Sequence, residues 1–255
     1  MKKLFKGCLV GLLFLAISLP AVAQEGPMPP YTAMHVENVK PGMIEEYMEG
    51  TKKWIEAIKK EGIGLYFFCF RDLEGNYHYG VPYSKWADVD ELQEKWGKAA
   101  ALLRGSEWGR KRQAAINWSR YESWFYAAHL SYMPKEPSEN PMELMYSGWA
   151  NVRVSHTNEG KFNEMMAEVK AVHEKHGAAR SYSVHRNILG ANGPLYVIVW
   201  AAKDPADMFD YEKTWREKMG ADIMPLMNQI MDITEEMQEG NGWIVPELTL
   251  MPEGM

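Results

Sequence analysis

Two stretches of the chain alternate apolar and polar residues with the period of a β-strand. The first runs from Tyr31 to Val39 and the second from Tyr146 to His156. Each is followed by a glycine, at position 42 or 160, and then by apolar residues spaced three and four apart, which predict amphipathic helices. The pattern therefore predicts two segments that begin in the same way, with a strand followed by a helix.

Two shorter strands and a second helical region are predicted next in each segment. The helical regions begin at Asp88 and Asp204, because aspartate favours helix N-termini, and residues 204–238 have room for two helices or one broken helix. A last strand, followed by Met-Pro, closes each segment. The strands predicted after the first helix are 65–71, 76–83 and 124–132 in one segment, and 180–186, 195–201 and 243–250 in the other.

The order strand, helix, strand, strand, helical region, strand thus occurs twice, at a spacing near 118 residues. This order predicts an α+β fold made of two tandem ferredoxin-like (βαββαβ) repeats. Helices cover one face of such a sheet, so two open faces can be buried on each other to give an intrachain dimeric α/β barrel. The predicted repeats are residues 24–133 and 142–255, and the proline-containing segment 134–141 is the predicted linker.

The element order, with Gly42 matching Gly160 and Asp88 matching Asp204, resembles the dimeric α/β-barrel superfamily, as a fused member with both halves in one chain. That superfamily includes antibiotic-biosynthesis-type monooxygenases, haem-degrading and chlorite-dismutase-like haem proteins, isomerases and members without known activity. The resemblance implies a barrel fold and a small-molecule ligand, and it does not choose among these activities.

Composition and the N-terminal residues indicate the class of protein and its location. The chain has 255 residues, 46% of them hydrophobic and 24% charged, as in ordinary globular proteins. A cationic start, an apolar run from Leu9 to Leu19 and a small-residue site ending at Ala23 predict a signal peptide over residues 1–23 and a periplasmic or secreted protein. Removing its three lysines changes the net charge from −6 to −9, which argues against nucleic-acid binding, and no membrane span is expected.

Strand alternation assigns candidate functional residues to faces of the sheets. With Arg153 aligned to His35, the residues His35, Glu37, Asn151 and Arg153 are predicted to point between the two sheets. Buried polar side chains need partners or a polar ligand. The set is therefore either a ligand site or a group of structural pairs such as Arg153 with Glu37.

Neighbouring strands add further candidates. Arg71 and Arg186 occupy matching strand ends, and His78 is predicted to approach His35. Two histidines with Glu37 form an acceptable set for a divalent metal, but no dense ligand spacing supports it and no metal is predicted. The residues predicted to bind substrate are Glu37, Arg71, Trp149, Asn151, Arg186 and Trp200.

His173 and His176 raise the question of a cofactor. They lie three residues apart in the second amphipathic helix, where a histidine facing the sheet would be an axial haem ligand of the kind the haem branches of the superfamily use. They also stand in the last turn of that helix, where cationic side chains are favoured without any ligand. We therefore expect no cofactor, with haem as the alternative.

Two functions of different classes fit these observations. The first is a cofactor-independent monooxygenase-like enzyme for an aromatic or apolar substrate, in which His35 or His78 is the general base. The second is a non-catalytic exported binder of a hydrophobic ligand or haem, and either protein is compatible with homo-oligomerisation. In the enzyme, the residues predicted to hold an oxyanion are Arg71, Arg153 and Arg186, and those predicted to position the substrate are Trp149 and Asn151.

Overall fold

The computed structural model describes residues 29–135 and 143–251. The predicted signal peptide and most of the predicted linker lie outside the described residues, so export and a periplasmic or secreted location stay predictions. Within the described ranges, no helix is both long and apolar enough to cross a membrane.

The secondary structure follows the predicted order in both parts of the chain. The first part contains β1 (Tyr31–Val39), α1 (Ile44–Lys60), β2 (Phe68–Asp72), β3 (Asn76–Tyr83), α2 (Val89–Arg104), α3 (Glu107–Ala115) and β4 (Ile116–Tyr126). The second contains β5 (Tyr146–Val154), α4 (Glu159–His176), β6 (Tyr182–Leu189), β7 (Leu195–Ala202), α5 (Pro205–Ile233) and β8 (Thr234–Ile244). Short 3-10 helices span Pro41–Met43, Trp86–Asp88 and Pro246–Leu248.

The last strand of each part begins earlier than predicted. β4 starts at Ile116 and β8 at Thr234, whereas the sequence pattern predicted strands at 124–132 and 243–250. Both strands open with mostly exposed residues, so the apolar alternation that reveals a strand is missing there. The region predicted as two helices or a broken one is a single helix, α5, which contains Pro225.

Every strand pair described is antiparallel, so the fold class is α+β, as predicted. Hydrogen-bonded neighbours follow the order β1-β3-β2-β8-β5-β7-β6-β4, that of an eight-stranded antiparallel barrel. β1 pairs with β3 over nearly its whole length, from Tyr31 opposite Tyr83 to Asn38 opposite Asn76. β5 pairs with β7 in the same way, from Tyr146 opposite Ala202.

The described residues divide into two compact units. The first comprises Pro29–Glu122 with residues 244–251, and the second is the described part of Ser123–Trp243. The boundary therefore falls inside β4 and not at the predicted linker 134–141, because the last residues of β4 pair with β6, Tyr126 with His185. The chain after β8 returns to the first unit, where Leu250 pairs with Phe67, so the predicted limits 24–133 and 142–255 do not describe these units.

The first unit has its core between α1 and the strands β1, β2 and β3. Apolar positions of α1 recur with helical spacing, so Trp54, Ile55 and Ile58 lie on one buried face. Below them, Phe67 and Val81 are also buried, and the ring of Trp54 stacks on that of Phe67 at 5.6 Å. This packing fixes α1 against the helix-covered face of the sheet.

The second unit buries α4 and α5 against β5, β6 and β7. Phe162, Met166 and Val169 of α4 pack with Val152 of β5 and Ile223 of α5 in one apolar cluster. The helix ends at Gly177, whose positive φ of 57° is the left-handed conformation that glycine adopts without strain.

A glycine in β3 permits a close contact that predicts a measurable loss of stability. A Cβ at Gly80 would lie 1.9 Å from the Phe68 ring, so Gly80→Ala forces the ring or strand to move. We expect a loss of about 1–3 kcal/mol in the free energy of unfolding, measured by urea denaturation. The matched control is Gly97→Ala in α2, where nothing lies within 4 Å and alanine should raise stability by roughly 0.5–1 kcal/mol. Equal effects at the two positions would contradict the packing.

Candidate functional site

A buried ion pair lies between the sheet and the helices of the first unit. Glu37 on β1 is 3% exposed and Arg112 on α3 is 2% exposed. Nη2 of Arg112 donates to Oε2 of Glu37 at 2.5 Å, and Nη1 donates to Oε1 at 3.2 Å. The flat donor edge of the guanidinium thus meets both carboxylate oxygens, and charge-assisted bonds of this kind are stronger than neutral ones.

Three hydroxyl groups complete the hydrogen bonding of this pair. Tyr47 on α1 donates to Oε2 of Glu37 at 2.6 Å, and its oxygen lies 2.6 Å from that of Tyr79 on β3. Because Tyr47 gives its proton to Glu37, the Tyr79 hydroxyl is the donor between the two tyrosines. Thr51 accepts from Nε of Arg112 at 2.8 Å. We call Glu37, Tyr47, Thr51, Tyr79 and Arg112 the buried polar cluster.

The local sequence explains how the cluster forms. Tyr47, Thr51 and Trp54 are spaced four and three apart, so α1 presents them on one face. A Cβ at Gly50 would lie 2.6 Å from Cβ of Arg112, so only a glycine lets α3 come this close to α1. The guanidinium of Arg112 then lies 4.8 Å from the centre of the Tyr47 ring and 5.3 Å from that of Trp54, as in cation–π contacts.

The electrostatics of the cluster keep Glu37 ionised. Burial on its own raises the pKa of Glu37, but the charge of Arg112, the nearby His35 and the hydrogen bonds from Tyr47 and Arg112 outweigh it and lower the pKa. Burial also raises the pKa of Tyr47 and of Tyr79 well above the ordinary tyrosine value, so both stay protonated as donors. The cluster therefore holds one carboxylate anion and one guanidinium cation at neutral pH.

His35 lies beside this cluster with one nitrogen unused. Its Nε2 is 3.8 Å from Oε1 of Glu37, and it is buried without a hydrogen-bond partner among the residues that the structure describes. The ring stacks on Tyr121 at 4.3 Å and meets the edge of Trp96 at 6.0 Å. Burial lowers the pKa of His35, Glu37 opposes this and Arg112 adds to it, so the imidazole is neutral at pH 7.

The face predicted for β1 is wrong, because the matched glycines misalign the two strands. They imply a spacing of 118 residues, whereas β1 and β5 begin at Tyr31 and Tyr146, 115 residues apart. A shift of an odd number moves every side chain to the other face of a strand. Glu37 and His35 therefore lie on the helix-covered side, where Glu37 bonds to Tyr47, and not on the open face.

His78 and Arg71, also predicted as site residues, do not join the cluster. His78 pairs with Val36 across β1 and β3, so it points to the opposite face from His35, and the predicted approach of the two histidines is wrong. Its Nε2 lies 3.0 Å from Oδ2 of Asp72. The guanidinium of Arg71 lies 5.6 Å from the centre of the Tyr77 ring. Among the described residues no group of three metal-ligating side chains forms, so the alternative of a metal held by His35, His78 and Glu37 gains no support.

The other predicted site residues belong to the second unit. Arg153 pairs with Glu236 at 3.1 Å, so the predicted structural pair of Arg153 with Glu37 does not form. Arg186 on β6 pairs with Glu159 at 2.6 Å. Trp149 lies over Gly240, Trp200 lies over Gly148 on the helix side, and Asn151 is half-buried in β5.

Haem does not fit the histidines predicted as its alternative ligands. Nδ1 of His173 donates to the Val169 carbonyl at 2.9 Å, which leaves Nε2 as the acceptor, and the indole of Trp215 donates to that nitrogen at 3.2 Å. Both ring nitrogens of His173 are thus occupied in a buried site. His176 lies 2.7 Å from Asp222 on the exposed side of α4. Neither imidazole is placed to bind iron.

The buried polar cluster depends on residues that were not predicted as site residues. Arg112 lies in the basic segment before β4, which reads as a solvated helix, and only the nearby glycines 105 and 109 hint at close packing. Tyr47 and Thr51 gave a clearer signal, because two hydroxyl side chains stand in the apolar stripe of α1. Polar groups in a buried stripe need partners, so they marked a buried polar site.

Comparison with known proteins identifies the fold. No family model and no curated protein matches the sequence. Solved structures with the same fold include an anthrone oxidase-like protein, at 10% identity and a TM-score of 0.54, over 85% of this chain and 92% of that one. A protein described as a monooxygenase, from Lactobacillus acidophilus, gives 11% identity and a TM-score of 0.52, over 85% and 94%.

A solved structure described by a different activity matches to the same extent. A chlorite dismutase variant from Candidatus Nitrospira defluvii gives 6% identity and a TM-score of 0.54, over 87% of this chain and 94% of that one. At these identities the likeness shows the fold alone. The predicted resemblance to the dimeric α/β-barrel superfamily is confirmed at that level.

The buried ion pair predicts a large stability loss when one partner is removed. Arg112→Met leaves the Glu37 carboxylate buried without its cation, and we expect a loss of about 3–5 kcal/mol in the free energy of unfolding. Adding Glu37→Val removes the stranded charge and should recover most of that loss. Lys95→Met, which breaks the exposed pair with Glu91, is the control and should cost less than about 1 kcal/mol. A double variant as unstable as Arg112→Met would contradict this reading.

The buried neutral imidazole of His35 predicts a pH dependence of stability. The pKa of His35 is lowered in the folded state, so the unfolded chain binds more protons as the pH decreases below the unfolded-state pKa of about 6.5. The free energy of unfolding therefore decreases as the pH decreases. His35→Phe, which keeps the ring stacking, should flatten this fall between pH 7.5 and 5 in denaturant titrations. The exposed His129→Phe should leave the slope unchanged. If His35→Phe kept the wild-type pH dependence of stability, the pKa of His35 would be the same in the folded and unfolded states, and the prediction would be wrong.

Proposed function

We propose that this protein is a monooxygenase-like enzyme that needs no bound cofactor and acts on an aromatic or apolar small molecule. The observation that carries the proposal is the buried Nε2 of His35, which has no hydrogen-bond partner among the described residues and lies 3.8 Å from the Glu37 carboxylate. A buried polar atom without a hydrogen-bond partner costs about 1–3 kcal/mol of stability, so its retention points to a use. The fold shared with an anthrone oxidase-like protein and a monooxygenase supports this class of reaction.

His35 is the proposed general base. A neutral imidazole accepts a proton from an activated C–H or O–H of the substrate, and the resulting anion reacts with dioxygen. In the simplest case, a CH₂ group becomes a carbonyl: it loses two hydrogens and gains one oxygen atom of O₂, while the other oxygen atom leaves as water. The electrons come from the substrate, so no further reductant is needed.

Glu37 stabilises the imidazolium that forms when His35 takes the proton. Its carboxylate lies within ion-pair distance of Nε2, and Arg112 and Tyr47 hold it in the ionised form. Glu37 does not itself become protonated, because its pKa lies below the ordinary value. The rings of Tyr121 and Trp96, which contact His35, provide apolar surface for a planar substrate.

The proposal includes export and self-association as further expectations. The cationic start and apolar run of residues 1–23 support export to the periplasm or medium. Mass spectrometry of the mature protein tests this, with a start at Gln24 as the expected result and a start at Met1 as the contrary one. Sedimentation of the same sample reports whether it is a homo-oligomer.

The alternative function is a non-catalytic binder of a hydrophobic ligand. One observation favours it. The residues of the buried polar cluster hydrogen-bond to one another, so they are already paired in the absence of a substrate. Among the described residues of this site, His35 is left with an unused buried nitrogen, which a ligand can bind without any reaction. Haem is a poor choice for that ligand, because both nitrogens of His173 are occupied.

Oxidation of anthrone distinguishes the two functions. We expect the wild type to consume O₂ with anthrone and form the quinone, and His35→Gln to lower kcat about 10²–10⁴-fold, the usual contribution of a general base. The rate should rise with pH through a pKa below the ordinary histidine value. His129→Gln, an exposed change, is the control and should retain full activity. Binding of anthrone without O₂ uptake would favour the binder.

A further inference from the structure

The second unit carries a row of buried polar side chains on one strand. Ser183, His185 and Asn187 alternate along β6 and are 7%, 3% and 7% exposed. The residues between them include Val184, which packs into the apolar core under the helices. The row therefore lies on the face of the sheet away from α4 and α5. We call these three residues the β6 polar row.

One member of this row has a hydrogen-bond donor for which no described residue is the acceptor. Ser183 and His185 bond to each other, with Nε2 of His185 3.0 Å from Oγ of Ser183. Nδ2 of Asn187 is buried and has no partner among the described residues. A buried amide donor without an acceptor costs about 1–3 kcal/mol, so an acceptor brought by a ligand would relieve that cost.

The corresponding strand of the first unit shows that the fold does not require this row. β2 pairs with β3 as β6 pairs with β7, and on the same face it presents Phe68, Phe70 and Asp72. The Phe68 ring fills the space over Gly80. The carboxylate of Asp72 accepts bonds from Asn76 and His78, so no polar group is left over. Two rings and a satisfied carboxylate thus stand where the second unit has serine, histidine and an unpaired amide.

The strands beside the row keep partly accessible surface that an apolar ligand body could cover. His185 pairs with Val197 on β7, and Val197 in turn pairs with Asn151 on β5. Both of these neighbours are only half-buried, although they stand in the middle of the sheet. On the other side, Tyr126 pairs with His185 and its ring lies 5.4 Å away. Accessible surface, an apolar valine and an aromatic ring therefore adjoin the β6 polar row at His185.

We propose that the β6 polar row is a binding site for a small organic molecule that offers a carbonyl or carboxylate oxygen to Nδ2 of Asn187. The apolar body of the ligand rests on Val197 and Tyr126. The site uses neither His35 nor Glu37, so it stands or falls independently of the proposed enzymatic function. Trp149 and Asn151, predicted from the sequence to bind substrate, lie on this same face of the sheet.

Binding of two simple probes to the full chain tests the proposal. Benzoate carries a carboxylate and benzamide a neutral carbonyl on the same ring, so calorimetric titration with each reports which acceptor the site prefers. We expect at least one to bind in the millimolar range or tighter and to shift the side-chain amide resonance of Asn187. Asn187→Leu should weaken binding at least tenfold while raising the melting temperature, because it removes an unpaired buried donor.

Two further variants complete the experiment. Asn163→Leu changes another asparagine with an unpaired buried atom, on α4, and should leave probe affinity unchanged. His185→Phe copies Phe70 of the first unit and should block binding by filling the space. The proposal is overturned if neither probe binds the wild type at millimolar concentration, if Asn187→Leu binds as tightly as the wild type, or if that variant lowers the melting temperature.

Discussion

The ion pair of Glu37 with Arg112 is the interaction on which the first unit depends. It joins β1 to α3, and through Tyr47 and Thr51 it also fixes α1. Two charges in a dry core are costly unless their geometry is good and their remaining hydrogen bonds are made. Here the bidentate contact and three hydroxyl groups meet that requirement, so a strand and two helices are held in one arrangement.

His35 acquires its properties from this arrangement. Burial and the charge of Arg112 favour the neutral imidazole, while Glu37 at 3.8 Å favours the cation. A group held between these opposing influences changes charge in response to a small change in its surroundings. A substrate proton donor supplies such a change, and an ionised carboxylate is already in place to stabilise the product. The ion pair thus serves both packing and the proposed chemistry.

Much of the fold was predictable from the sequence, because it depends on periodicity. β1 and β3 have the predicted bounds, and α1 follows its apolar stripe. The starts of β4 and β8 were not predictable, since their first residues are polar and exposed and their pairing comes from tertiary structure. The site was predictable only in part. Glu37 and His35 were identified, but they were assigned to the wrong face of β1, because matching the two glycines shifts the alignment of β1 with β5 by three residues. Arg112 reaches the site through a close helix contact at Gly50, which no local pattern records.

The two units differ at the positions of the buried polar cluster, in a way that favours a functional role for the cluster over a role in folding. Counting from the start of each unit's first strand and helix, Glu37 corresponds to Val152, Tyr47 to Phe162 and Thr51 to Met166, which all pack in the apolar core of the second unit. At these three positions, the same sequence of elements therefore fills its core with apolar residues. Replacing a buried ion pair by well-packed apolar residues is often neutral or stabilising by about 1–4 kcal/mol. This chain keeps the buried ion pair in its first unit and so lacks that increase in stability. The unpaired nitrogen of His35 lies beside the pair, and its proposed role in catalysis is a reason to retain the less stable arrangement.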